Sequence, residues 1–146
     1  MKLTDALLGE HGAFYALFDQ VEALASIAES GTQVQSATAV LSALIQSHAA
    51  LEDELLFKAL EPHLGQAGPL SVMRSEHDEI EQAMFKIEDA STYDEAAQLV
   101  RPALAAARNH FHKEEHVLFR MAERLLDEQT LTHLGRSWAS ARGVLI

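Results

Sequence analysis

Cysteine is absent from the 146-residue chain, and with it go disulfides, thiolate zinc sites and cysteine-ligated iron–sulfur clusters. Any metal bound here must be held by nitrogen and oxygen. Basic residues are scarce as well: 11 Lys and Arg stand against 22 Asp and Glu, a formal net charge of -11. Nucleic acid and anionic membrane are bound through clustered Lys and Arg, so neither is expected as a partner. A cation is the natural guest. Only three prolines and seven glycines interrupt the sequence, while Ala, Leu, Glu and Gln dominate it, so the composition points to an all-α protein. Long apolar runs are missing: no stretch approaches the roughly 18–20 residues of a membrane span. The N-terminus meets Asp5 at once and lacks the apolar core of a signal peptide, so a cytoplasmic location is expected. The length suits a single domain over residues 1–146.

What is present is a set of stripes. Apolar residues recur at steps of three and four through Leu7, Phe14, Phe18, Val21 and Ala25; through Leu41, Leu44, Leu51, Leu55 and Ala59; through Leu70, Met73, Ile80, Met84 and Ile87; and through Leu104, Ala107, Phe111, Leu118, Met121 and Leu125. Each stripe is the core-facing side of one helix. Turn and cap residues separate them at Ser30-Gly31-Thr32, from Glu61-Pro62 to Gly68-Pro69, and at Ser91-Thr92-Tyr93-Asp94. The links are short, so neighbouring helices are expected to run antiparallel in an up-down-up-down four-helix bundle. Expected helices cover residues 3–29, 34–60, 69–90 and 94–127, with a short fifth helix over 130–142 that carries Trp138. Pro102 is expected to kink the fourth helix or to mark a late start.

Polar side chains interrupt the stripes. His11 stands between Leu7 and Phe14, His48 between Leu44 and Leu51, His77 between Met73 and Ile80, and Glu114 between Phe111 and Leu118. Three helices carry His-x-x-x-Glu, as His48/Glu52, His77/Glu81 and His110/Glu114. A four-residue step sets both side chains on one helix face, one turn apart. Two residues of an antiparallel hairpin are level when the turn lies midway between them. Halfway between 11 and 52 is 31.5, beside Gly31; between 52 and 77 is 64.5, beside Gly65; between 77 and 110 is 93.5, at Tyr93-Asp94. Four imidazoles and three carboxylates thus share one layer of an apolar interior. The halves also echo each other: Glu10-His11 matches Glu76-His77, and His48 through Glu52 matches His110 through Glu114.

A lone core histidine is usually just hydrogen-bonded, but three buried carboxylates are a different matter. Each costs several kcal/mol if unpaired, more in total than a domain of about 5–15 kcal/mol stability can absorb without cations. Imidazole with carboxylate suits iron, manganese or zinc, and bridging carboxylates flanked by His suit a dinuclear iron centre best. His112-Lys113-Glu114-Glu115-His116 also fits the His-x-x-Glu-His pattern of a zinc peptidase. At 100° per residue His112 and His116 fall on the far side of the helix from Glu114, so that reading fails. Glu-x-x-His pairs, which a ferritin-like oxidase needs, do not occur in the helix interiors. Tyr15 takes in the first repeat the place of Glu81 in the second and is read as a core aromatic, with a ligand or donor role as the alternative. His63, in a turn, and His133, on the terminal helix, are read as solvent-facing.

The spaced set His11, His48-x-x-x-Glu52, His77 and His110-x-x-x-Glu114 resembles the hemerythrin-like, or HHE cation-binding, domains over nearly the whole chain. The resemblance implies two iron ions with an oxo or hydroxo bridge, spanned by Glu52 and Glu114, with His11 and His48 on one iron and His77 and His110 on the other. It also implies a small diatomic or peroxide ligand. Oxygen-carrying hemerythrin has His where this chain has Glu81, and its last carboxylate is an Asp one residue beyond the place of Glu114. The expected function is therefore binding of, or reaction with, oxygen, nitric oxide or peroxide, in sensing or detoxification. Reversible oxygen carriage, or an iron store or donor, is the alternative.

Overall fold

The computed structural model describes residues 1–27 and 29–145. Among these, all regular structure is helical: α1 Leu3–Ile27, α2 Gly31–Leu51, α3 Lys58–Leu64, α4 Pro69–Glu88, α5 Tyr93–Lys113, α6 Phe119–Leu125 and α7 Glu128–Arg142. Two π-helical turns, Glu52–Phe57 and Glu114–Leu118, join α2 to α3 and α5 to α6 without leaving helical backbone angles. The chain thus forms four long rods and a shorter fifth. The expected first helix reaches residue 29; residue 28 lies outside the described residues, and Glu29 is in a bend rather than in helix.

Local chemistry sets the ends. Ser30 and Gln33 form a capping box at the start of α2. Gly65 (φ 72°) and Gly68 (φ 79°) take left-handed angles around the link that precedes Pro69, the first residue of α4. The Thr92 hydroxyl accepts from Glu95 N at 3.2 Å and fixes the start of α5 at Tyr93. Pro102 therefore marks no late start; it lies inside α5 with its ring exposed. His63 sits in the last turn of α3 rather than in a loop, and it is solvent-exposed as expected.

Contacts run between α1 and α2, α1 and α5, α2 and α4, and α4 and α5, closing a bundle around a shared interior. α7 packs on α1, outside that bundle. No helix of the described residues is long and apolar enough to cross a membrane. The core falls into two separate clusters. One gathers Phe14, Phe18, Met84, Leu104 and Phe111; the other gathers Leu3, Leu7, Leu56, Phe57, Leu118 and Phe119.

The stripes of α1 and α4 fall where the sequence put them, with Leu7, Phe14, Phe18, Val21 and Ala25, and Leu70, Met73, Ile80, Met84 and Ile87, all buried. Those of the other two rods do so in part, with Leu41, Leu104, Ala107, Phe111 and Leu118 buried as expected. Leu44 and Leu125 are exposed, and Leu51, Leu55, Ala59 and Met121 are only partly buried. In place of the residues that miss, Ile45, Leu56 and Leu60 are buried in one rod and Ala122 and Leu126 in the other. A π turn holds more residues than an α turn, so beyond Glu52 and Glu114 the inward face arrives one residue later than a steady 3.6-residue period implies.

Candidate metal centre

Four rods each deliver polar groups to the layer between the two apolar clusters. His11 comes from α1, His48 from α2, His77 from α4 and His110 from α5; Glu52 and Glu114 open the two π turns. All are fully buried except His77, which keeps 11% of its surface. The π turn has a local consequence. The widening lies beyond Glu52 and Glu114, so each carboxylate follows His48 or His110 by one ordinary α turn on the same inward face, and the shift falls on the residues after it.

Each carboxylate divides its oxygens. Glu52 Oε1 lies 3.3 Å from His48 Nε2, and its Oε2 lies 3.4 Å from His77 Nε2. Glu114 Oε2 is 3.4 Å from His11 Nε2, while its Oε1 is 3.1 Å from His110 Nε2 and 3.8 Å from His77 Nε2. His11 and His48 bring their Nε2 atoms to 3.1 Å of each other. Two four-residue groups result, His11-His48-Glu52-Glu114 and Glu52-His77-His110-Glu114, which share both glutamates. Ligand atoms about 2.0–2.2 Å from a common ion stand roughly 3 to 3.5 Å apart, the spacing found here.

The donor set fits cations on a second count. Both oxygens of Glu52 and of Glu114, both ring nitrogens of His77 and Nε2 of His110 are buried without a hydrogen bond. Orphaned polar atoms of that number are costly in an apolar interior unless something else binds them.

Around this layer stand groups that sequence reasoning missed. The His48 Nδ1–H donates to Glu10 Oε2 at 2.6 Å, His110 Nδ1–H to Glu76 Oε2 at 2.9 Å, and His11 Nδ1–H to Glu115 Oε1 at 3.0 Å. Each bond holds a ring with Nε2 turned inward, the arrangement that orients metal-ligating imidazoles. The three carboxylates are themselves held: Glu10 by Trp138 and Arg142, Glu76 by Lys113, and Glu115 by the Tyr15 hydroxyl at 2.9 Å. Tyr15 thus works at one remove, neither a ligand nor a purely apolar core residue. A signal for two of these groups was present in the repeat, since Glu10 precedes His11 as Glu76 precedes His77; each reaches the histidine of the next rod.

The charges reinforce one another. Burial works against a charge on His48, yet Glu52 and Glu10 raise its pKa to about 10. Burial likewise opposes charge on His77, and the nearby carboxylates of Glu114 and Glu52 lift it to about 9. Burial would raise the Glu114 carboxyl, but His11, His110 and His77 hold it well below the usual range. Protons on His48 and His77 thus offset the buried Glu114 carboxylate, and a cation would displace them.

Glu81 stands apart. It is partly buried and belongs to neither four-residue group, lying instead with His77, His110 and Asp78 on the wall of a cavity of about 210 Å³. His112 and His116 are exposed, with the His116 Nδ1–H donating to the His112 carbonyl at 2.9 Å, so the zinc-peptidase motif is not assembled. His133 is exposed as well.

Comparison with known proteins bears on the whole arrangement. None of the curated proteins and none of the solved structures compared with the chain matches it. The family model of the hemerythrin HHE cation-binding domain matches residues 2–122, a span that holds every residue of the two clusters. The chain belongs to the hemerythrin HHE cation-binding domain family.

Proposed function

We propose that this protein is a cytoplasmic, non-haem di-iron protein that reacts with oxygen, nitric oxide or peroxide, in sensing or detoxification rather than in oxygen transport. In this reading the rods run up-down-up-down, as their short links favour. One iron is held by His11 and His48 and the other by His77 and His110, with Glu52 and Glu114 bridging and Glu81 serving the second ion. The observation that carries it is the division of each bridging carboxylate, one oxygen toward each histidine pair. Bound iron would supply the redox chemistry and a coordination position for the small ligand.

The chain's own residues supply selectivity and access. Nitrogen and oxygen donors with no thiolate suit iron, manganese or zinc, and paired carboxylates favour the higher oxidation state by charge. The cavity reaches the layer beside His77 and is walled by Ile45, Ala49, Ile80 and Phe111, enough room for a molecule of two or three heavy atoms. His77 Nδ1 has no hydrogen-bond partner, in contrast to the outer nitrogens of His11, His48 and His110. His77, 11% exposed, is the least enclosed of the four histidines, and the cavity that it lines also touches His48 and His110. Asp78 and Glu81 on the cavity wall form no ion pair among the described residues, so their field favours uncharged ligands over anions.

Metal analysis coupled to a redox cycle tests the reading. The purified protein should hold about two iron atoms per chain. Once reduced without air, it should be oxidised by oxygen and stay oxidised when oxygen is pumped away, because Glu81 adds negative charge where oxygen-carrying relatives place a neutral imidazole. One tightly held zinc with no uptake of iron would overturn the di-iron assignment. Full recovery of the reduced spectrum over repeated cycles would restore oxygen carriage as the function.

A further inference from the structure

α7 lies beyond residue 122, where the family match ends, yet it reaches the metal layer. Its buried residues Leu131, Gly135 and Ala139 recur every four positions and form the face that meets the rest of the chain. A Cβ on Gly135 would stand 2.4 Å from the Met1 carbonyl oxygen, so glycine is what lets the two backbones approach. Asp127 caps the start of α7 by accepting from Thr130 N at 2.7 Å, and Gly143 ends it at φ 67°. So placed, the last turn sits beside Glu10 and Ser47, the residues that precede His11 and His48.

The side chains of Trp138 and Arg142 both donate there. Trp138 Nε1–H donates to Glu10 Oε1 at 3.1 Å. Arg142 Nε–H donates to the same oxygen at 2.6 Å and one Nη–H to Oε2 at 3.3 Å, while the other Nη–H reaches Ser47 Oγ at 2.6 Å. Glu10 Oε2 in turn accepts from His48 Nδ1. A planar guanidinium gripping both oxygens of one carboxylate through two nitrogens fixes direction as well as charge. Among the described residues no such clamp stands on the opposite side. Glu76, behind His110, is held by the half-exposed ammonium of Lys113, and His77 Nδ1 is unheld.

We infer that α7 is a positioning strap which, through Arg142, Trp138 and Glu10, fixes the His48 imidazole and makes the His11–His48 ion the more tightly held of the two, leaving the His77–His110 ion as the exchangeable one. The inference rests on the two-ion reading proposed above. Removing a hydrogen-bonded partner behind a ligating histidine costs about 10–100-fold in metal affinity, so the asymmetry is large enough to set an order of loading and release.

Anaerobic calorimetric titration of the metal-free full chain with ferrous ion alone tests this. Wild-type protein should take up two ions in two resolved steps. Arg142→Ala should weaken the tighter step by about 10–100-fold and leave the looser one nearly unchanged, and Arg142→Lys should recover part of the loss. Trp138→Phe should weaken the tighter step less. In a Glu10→Gln background Arg142→Ala should add little further loss, because the carboxylate charge through which Arg142 acts on His48 is already gone. Lys113→Ala should act on the looser step instead. Should Arg142→Ala fold poorly, Arg142→Gln and Trp138→Phe carry the same comparison. Equal weakening of both steps, no change in either, or an undiminished loss in the Glu10→Gln background would overturn the strap while leaving the di-iron reading intact. A wild-type protein that takes up fewer than two ions would defeat that reading, and the strap with it.

Discussion

His48 and His77 keep their protons to about pH 10 and about 9 in the metal-free protein. Both values stand above the roughly 6.5 of an unfolded imidazole. Their ion pairs therefore stabilise the fold fully below about pH 6.5, and that stabilisation is lost as pH rises through about 9 and then about 10. Glu10 works in the opposite sense. Burial would raise it, but His48 and Arg142 hold it at about 2, so its contribution is present above the ordinary value of 4.5 and lost as pH falls toward 2. Metal-free protein should thus have its highest unfolding temperature between about pH 4.5 and 6.5 and unfold several degrees lower by about pH 9.5. With metal the trend above neutrality should reverse, because proton and cation compete for the same Nε2 atoms. Thermal unfolding followed by circular dichroism, with metal and with chelator, checks both slopes; parallel curves would contradict the competition. The bridges can be tested residue by residue too. Glu52→Ala and Glu114→Ala should each cost most of both ions, and His11→Ala mainly one, read as metal per chain after dialysis. Equal single-ion losses in all three would contradict the bridging assignment.

At the scale of the helix, the π turns decide what a sequence can reveal. The periodicity of α1 and α4 is uninterrupted, and their buried residues can be read straight from the chain. So can the layer itself: the turn midpoints level His11, His48, Glu52, His77, His110 and Glu114, and these six do meet. Glu81 satisfied the same spacing rule and stands outside the clusters, because an i, i+4 step from a ligand fixes a helix face but not the depth to which that face is buried. The π turns left no such mark, since nothing in Glu52–Phe57 or Glu114–Leu118 departs from ordinary helical composition. A steady period carried through them lands on Leu55, Ala59, Met121 and Leu125, one residue short of the core. Long-range partners such as Arg142 and Glu10 escaped for another reason, because the angle at which α7 returns to the bundle is set by packing rather than by any local motif. Leu60→Ala should cost about 2–5 kcal/mol, as buried leucine truncations do. Leu44→Ala, at a side chain 45% exposed, should cost under about 1 kcal/mol. Urea denaturation of the metal-loaded protein measures both, and similar losses would show that the inward face had been misplaced.

For the molecule as a whole, the division of the core into two apolar clusters has a mechanical consequence. Cooperative unfolding needs contacts that propagate, and here dispersion and burial on one side of the layer are connected to those on the other chiefly through His and Glu side chains. Filled by cations, that seam ties all four rods with bonds in every direction. Held only by protons, it is a plane along which the protein can come apart. The cluster of Leu3, Leu56 and Leu118 has Trp138 packed against it, and the other has Tyr93, whose hydroxyl donates to the Ala25 carbonyl at 2.7 Å. Trp138 fluorescence thus reports on one half, while far-ultraviolet dichroism reports on both. In metal-loaded protein the two signals should change together along a denaturant series. In chelator they should separate, one half losing its structure at a concentration of denaturant the other still withstands; coincident curves in both conditions would mean that the rods alone carry the coupling. On this view the cations act as the rivets of a two-storey frame, and withdrawing them also changes how the protein yields to a protease.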